Sequence, residues 1–377
     1  MRKRRATNRP HARLNIPSGS SQRESWQKPD PVREPVSAIV PAYNAEATIT
    51  ECLKALKAAM QPADELIVFD DGSTDSTHSI AEAAGARIVS NPGPPKGPAH
   101  GRNMAAASSN RPHLMFVDAD VIIHADAIDL LVEEVRRTGA VAAFGSYDDH
   151  PRSRRLPALY ANLRHHFVHQ SGSREATTFW SGIGLMRTDI FREFGGYNDV
   201  LFAHPSIEDV ELGMRLINTR KRIRLVPEAQ GTHWKDWTLW RVWHTDVVRR
   251  ALPWSRLIAD GQLAEADLNL ARKERMLAVL ALSVPAALAA GIFFRPLWAA
   301  APVVIALYVM GIFPFVRVLA RRMHVLQLVA AVTLHLCYHI YASVTYATVM
   351  LATRLGLRRR VFRPAATPRA RATELAR

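Results

Sequence analysis

Three acidic groups stand out along this chain of 377 residues. They are DDGSTD at 70–75, DAD at 118–120, and the adjacent pair Glu208 and Asp209. Carboxylates beside a polyphosphate repel it unless a divalent cation lies between them. An Asp-x-Asp pair after a strand can offer oxygens to Mg²⁺ or Mn²⁺, with phosphate oxygens of a ligand completing an octahedral shell. Such a cation stabilises charge growing on a departing diphosphate. A separate carboxylate, on the side away from the leaving group, can accept the proton of an attacking hydroxyl. A lone Asp-x-Asp as readily caps a helix or shapes a turn. Here its weight comes from following VPAYN at 40–44 and DDGSTD.

Such groups need a scaffold that brings them together. From Val36 onward, short apolar runs alternate with helical stretches, the mark of a mostly parallel α/β sheet. Strands are expected over 36–43, 66–69, 87–90, 114–117 and 223–226. Asn44 is placed to cap a helix over 45–60, and Asp75 to cap the helix after DDGST. The loop NPGPPKGPAHG at 91–101 carries too many prolines and glycines for regular structure, and a helix follows from Arg102. Acidic residues thus end two strands, at the sheet edge where open parallel sheets bind ligands.

Five segments in order resemble the motifs of the family 2 glycosyltransferases. They are VSAIVPAYNAEATI at 36–49, ELIVFDDGSTDST at 65–77, KGPAHGRNMA at 96–105, MFVDADV at 115–121 and GGYNDVLFAHPSIEDVELGMRL at 195–216. The resemblance extends over 36–254. It implies a GT-A fold, a Rossmann-like mixed α/β sheet with flanking helices. It also implies inverting transfer from a nucleoside diphosphate sugar with Mn²⁺ or Mg²⁺. Carried over by position, Pro41, Ala42 and Tyr43 would line the nucleotide pocket, Asp71 would bind the base, and Arg102 would lie near the nucleotide sugar. Asp118 would face the ribose or metal, and Asp120 would ligate the metal. Asp209 would be the base, with Glu208 near the acceptor. His233 stands where some members supply a further ligand, or is simply structural. Trp180 and Gly182 in FWSGIGLMR match a turn near the sugars, although Trp180 reads equally well as core.

Processive synthases of this family carry Gln-x-x-Arg-Trp beside the membrane. This chain has RRALPW instead, with Arg250 and Trp254 in a comparable region at different spacing, so a single addition is expected. The acceptor would be a lipid-linked or cell-envelope glycan hydroxyl or phosphate, and Arg250 and Trp254 would meet it. The alternatives are a processive polysaccharide synthase and an inactive membrane scaffold on a transferase fold. No G-x-G-x-x-G follows the first strand, which excludes a dinucleotide oxidoreductase. No glycine-rich activating loop suggests a nucleotidyltransferase.

The net charge of +15 is concentrated near the two ends, which suits anionic lipid beside the apolar C-terminal runs rather than nucleic acid, or else merely solubilises the ends. Residues 1–35 read as a disordered basic arm without a signal peptide. The catalytic domain would span 36–232. An amphipathic interfacial segment, 233–275, follows it, with Trp237, Trp240, Arg241, Trp243 and His244 at helical spacing. The other reading of that segment is a helix packed on the domain. Apolar runs at 276–294, 297–316 and 325–351 are each long enough to cross a bilayer, which takes roughly 20 helical residues. They imply two to three transmembrane helices over 276–357, then a basic tail, 358–377. Placing Arg317, Arg321 and Arg322 inside makes the catalytic domain cytoplasmic, at the inner membrane. Three spans would send Arg358, Arg359 and Arg360 outside, so one run is expected to be re-entrant or to lie flat. The third, the most polar, is the candidate. Cys52 and Cys337 suggest neither a disulfide framework nor a metal site.

Overall fold

A computed structural model describes residues 33–261 and 272–361. Most of the expected basic arm, and the tail beyond residue 361, lie outside the described residues. Strands β1 (Val36–Ala42), β2 (Glu65–Asp70), β3 (Arg87–Ser90) and β4 (His113–Val117) pair in parallel, in the order β3-β2-β1-β4. The sheet then turns mixed. β8 (Ile183–Arg187) lies antiparallel between β4 and β6 (Ala142–Tyr147), and β9 (Ile223–His233) runs parallel to β6. Short β5 (Val121–Ile123) and β7 (Glu175–Ala176) pair antiparallel with opposite ends of β9.

The strand runs read as continuously apolar because both faces are covered. Along β1, Ala38 and Val40 point into a core with Ile49, Leu53 and Leu56 of α1 (Ile49–Ala59), Ala81 of α2 (Thr77–Ala83) and Leu131 of α4 (Ala127–Thr138). Ile39, between them, points the other way. It joins Ala105 of α3 (Pro98–Ala107), Phe191 of α6 (Thr188–Glu193) and Leu212 of α7 (Glu208–Asn218). This is the period-two alternation of a strand between two helical layers.

Three expectations fail locally. Helix α3 begins at Pro98 rather than at Arg102, because a proline at the first helical position has no N–H to leave unsatisfied. Helix α1 begins at Ile49, not at residue 45, because Asn44 is not its cap. Asn44 takes a left-handed φ of 47° and its Oδ1 accepts from Thr74 N at 2.9 Å, so it ties the β1 and β2 loops together. The late strand is far longer than 223–226. It continues to His233 because β5 offers its C-terminal half a partner.

α5 (Leu156–Ser171) carries the C-terminal helices. Its Leu159, Tyr160 and Leu163 pack with Phe315 and Leu319 of α12 (Phe313–Ala320) and Ala331 of α13 (Val325–Arg354). Arg322 adds an ion pair to Asp149 at 2.7 Å. Between sheet and bundle, the expected interfacial segment forms α8 (Leu239–His244), a π-helical turn (Thr245–Ala251) and α9 (Leu252–Ala259). α10 (Arg272–Ala290) and α11 (Ala300–Gly311) complete the bundle.

Among the described residues, one helix, α13, is long and apolar enough to cross a membrane. The break expected in the third apolar run falls in the second. There the helical segments 295–311 and 313–320 meet at 73°. Pro314 explains it, since it has no N–H to give and its ring clashes with the preceding turn. The third run stays straight because its polar residues find partners. His335 meets the Tyr160 hydroxyl at 3.1 Å and His339 the Tyr308 hydroxyl at 2.9 Å.

Gly97, at φ 90°, lets the loop before α3 touch the backbone of Ala203, whose oxygen would lie 2.4 Å from a Cβ added there. Gly97→Ala should therefore destabilise the fold by at least about 3 kcal/mol, combining strain with a backbone clash. Gly139→Ala has φ 66° but open space around it. It should cost only about 1–2 kcal/mol, and the two denaturation midpoints, compared at equal slope, check the difference.

Candidate active site

Arg102 projects from α3 into the space between the ends of the sheet and α7. It is 3% exposed. Its Nη2 donates to Asp118 Oδ1 at 2.6 Å and its Nη1 to Glu208 Oε1 at 3.0 Å, while the Tyr197 ring lies 5.6 Å from the guanidinium carbon. Burial opposes the charge, but Asp118, with Tyr197 and Glu208, outweighs it and keeps the guanidinium firmly protonated. Glu208 Oε2 also accepts from Ser206 N at 2.8 Å. Glu208, expected beside an acceptor, is thus the counter-ion of Arg102 with both oxygens engaged.

Asp71 is also occupied. Its Oδ1 accepts from Asn91 Nδ2 at 2.9 Å and from Lys96 N at 3.0 Å, and its Oδ2 from Gly97 N at 2.7 Å. The carboxylate thereby shapes the proline-rich loop into one wall of the cleft. Pro41, Ala42 and the half-exposed Tyr43 form the wall opposite.

The DAD segment meets β9 where β5 pairs with it, Val121 facing His233. His233 Nε2 lies 3.7 Å from Asp120 Oδ2, and the Lys235 ammonium lies 3.5 Å from the same oxygen. Burial pushes the Asp120 carboxyl up, yet Lys235 and His233 together outweigh it and hold it well below the usual carboxylate range. An anionic oxygen beside an imidazole, with a cationic ammonium already drawn there, suits a hard divalent cation. Among the described residues no group of three or more His, Cys, Asp or Glu forms a ready-made cage. His233 stacks on Tyr147 at 4.2 Å and 8°, which fixes its ring plane.

Asp209 begins α7 beside Glu208. Its Oδ2 accepts from Ser181 N at 3.2 Å and its Oδ1 from Val210 N at 2.8 Å. Burial and the Glu208 carboxylate push its carboxyl up to about 7, against the pull of Arg102. A carboxyl poised there can exchange a proton near neutral pH.

One cleft of about 2100 Å³ touches Pro41, Tyr43, Asp71, Arg102, Asp118 and Asp120. Ala42, Glu208, Asp209, His233, Arg250, Trp254 and Trp180 also border it. Gly182, expected with them, does not. It lies beneath Trp180, where a Cβ would come within 2.3 Å of the indole, so its smallness makes room for that ring. Trp180 is both packed and exposed to the cleft, in contact with Tyr147 at 4.9 Å and His165 at 4.6 Å. Sequence reasoning missed Lys235, Tyr147 and the buried Asp246. Extending the last strand by alternation to His233 would have found Lys235, two residues on.

Residues 37–195 match the family described as Glycosyl transferase family 2. Over that stretch the chain is similar to family 2 glycosyltransferases. Over 96 residues it is 40% identical to glucosyl-3-phosphoglycerate synthase of Mycolicibacterium smegmatis, covering 23% of this chain and 31% of that protein. It is 28% identical over 235 residues to Probable glycosyltransferase YdaM of Bacillus subtilis, covering 57% of this chain and 54% of that one. The chain thus spans about half or less of the length of these curated relatives. In fold it is similar to the mannosyltransferase PcManGT from Pyrobaculum calidifontis, solved with GDP-Man and Mn²⁺. The TM-score is 0.51 at 18% identity, over 87% of this chain and 88% of the other. The mixed sheet with flanking helices is the GT-A arrangement.

Removing the central guanidinium of this site leaves two carboxylates facing each other. Arg102→Gln should destabilise the protein by about 3–5 kcal/mol, the cost of breaking a buried pair from one side. A chemical denaturation series against the unmodified chain reads it.

Proposed function

We propose that this chain is an inverting, non-processive glycosyltransferase. It would move a sugar from a nucleoside diphosphate sugar to a lipid-linked or cell-envelope acceptor at the cytoplasmic face of the inner membrane. The observation that carries the reading is the shared cleft, in which the cation-suited corner at Asp120 and His233 and the proton-exchanging Asp209 are held around Arg102. A relative of similar fold, solved with GDP-Man and Mn²⁺, supports a nucleotide sugar and a divalent ion.

Asp120 and His233 would hold the cation, with Asp118 held close by Arg102. When bound, the cation would neutralise the diphosphate and stabilise the charge on it as it leaves. The Asp71-shaped loop and Tyr43 would frame the nucleotide. Asp209 would receive the proton of the acceptor hydroxyl as that oxygen bonds to the anomeric carbon. The bond from that carbon to the diphosphate oxygen breaks, and its electron pair leaves with the nucleotide. No second carboxylic acid is needed to protonate the leaving group, in contrast with glycoside hydrolysis.

The membrane part of the proposal draws on surface chemistry. Only 17% of the apolar window of α13 is buried, and Phe293, Met310, Val325 and Leu326 are among the large apolar side chains left open. Apolar side chains left open in this number support an interaction with lipid or protein. The absence of Gln-x-x-Arg-Trp supports single addition.

Asp209→Asn should reduce turnover by about 10²–10⁴-fold while nucleotide binding stays near normal. In the unmodified protein kcat/KM should rise with pH up to about 7 and level off above it, because the raised carboxyl must be ionised to accept the proton. A pH profile that is flat from 5 to 8 would remove Asp209 from this role. Asp120→Ala should abolish the Mn²⁺-dependent part of nucleotide binding, as read by titration with and without the ion.

A further inference from the structure

The cleft continues past Asp209 to a second end that the transfer chemistry leaves unused. There the chain departs from α-helical geometry in the π-helical turn Thr245–Ala251. Such turns are rare inside helices and recur where side chains must be aimed. Asp246 in this turn is 2% exposed. It accepts from Arg164 Nη1 and Nη2 of α5 at 2.8 and 2.6 Å, and from the Tyr341 hydroxyl of α13 at 2.7 Å. Arg250, in the same turn, has Nη1 3.7 Å from Asp246, beyond hydrogen-bond reach, and its side chain is 46% exposed. Asp246 thus orients Arg250 while its own charge is committed to Arg164.

Arg241 and Arg249 border the same end of the cleft, and both are exposed. Neither makes an ion pair among the described residues. Glu274, the nearby acidic residue on α10, is taken by His339 at 3.1 Å. This end therefore holds more guanidinium than carboxylate, a setting for a planar, multidentate oxyanion such as phosphate. Next to it, Trp240 and Trp243 lie 4.9 Å apart at a tilt of 32° and stay exposed. Beyond them lie the open apolar faces of α10 to α13. Tryptophans and arginines beside an apolar surface sit at the depth of lipid headgroups. A phosphate acting as nucleophile would need no base, whereas Asp209 beside Ser181 is arranged for a hydroxyl.

We propose that Arg250, with Arg249 and Arg241, forms a subsite for the phosphate of a phosphate-bearing lipid acceptor whose hydroxyl, not its phosphate, faces Asp209. The Arg164–Asp246–Tyr341 cluster is the positioning device for that subsite and links it to α13. The subsite makes and breaks no bonds. This inference rests on the transferase reading above.

The test titrates the full chain, in neutral detergent, with short-chain phosphatidylglycerol, with diacylglycerol of the same chain length, and with glycerol 3-phosphate. Phosphatidylglycerol should bind and diacylglycerol should not. Arg250→Gln should weaken the phospholipid by about 10- to 100-fold, the scale of a lost charge-assisted hydrogen bond. Arg250→Lys should restore part of it. Arg249→Gln serves as a second variant if Arg250→Gln melts early, and should show a smaller loss in the same direction. Equal binding of diacylglycerol, or no loss in either Gln variant, overturns the subsite. Glycerol 3-phosphate binding as tightly as the phospholipid overturns the lipid assignment. Nucleotide affinity of the unmodified chain with Mn²⁺ is measured separately. If that fails while phosphate binding holds, the transferase reading is at fault and not the subsite.

Discussion

A single buried guanidinium organises this molecule. Arg102 reaches Asp118 at the end of β4 and Glu208 at the start of α7, partners 16 and 106 residues away in the chain. Taking any of these charges out of water alone would be costly, and the mutual attraction repays the cost only if all three stay together. The sheet edge and α7 are therefore locked at one separation. That separation defines the width of the cleft between the DAD corner and Asp209.

The lock also sets the electrostatics on either side. Asp209 sits next to a carboxylate that Arg102 has claimed, so burial and like charge raise its pKa rather than lower it. Asp120 lies on the other side, beyond the reach of that guanidinium's hydrogen bonds, and is held ionised by Lys235 and His233. Two aspartates in one cleft thus acquire opposite proton affinities from their surroundings. Divergence of this kind separates a proton acceptor from a ligand for cations.

A second polar knot, around Asp246, does for the helical bundle what Arg102 does for the sheet domain. It joins α5, the π-helical turn and α13 through one carboxylate. The apolar helices are therefore seated on the α/β domain by a satisfied polar network as well as by the Leu159 and Phe315 core.

Much of the architecture was legible in the chain itself. Apolar runs of strand length ending in DDG and DAD implied the parallel half of the sheet, because local hydrophobic pattern and turn chemistry depend on neighbours in sequence. The ordered motifs supplied Tyr43, Asp71, Arg102, Asp118, Asp120 and Asp209 along the cleft, but not Tyr147, Lys235 or Asp246. What escaped depended on pairings across long stretches. The reach of β9 to His233 came from β5, the unusual φ of Asn44 from a bond to Thr74, the engagement of Glu208 from Arg102, and the straightness of α13 from Tyr160 and Tyr308. The sequence alone determined which residues are chemically able to act and roughly which strands present them, since residue type and periodicity are local properties. Only the tertiary structure decided which carboxylate is left to exchange a proton and which is neutralised. Charge and burial at a site are sums over whatever the fold brings near it.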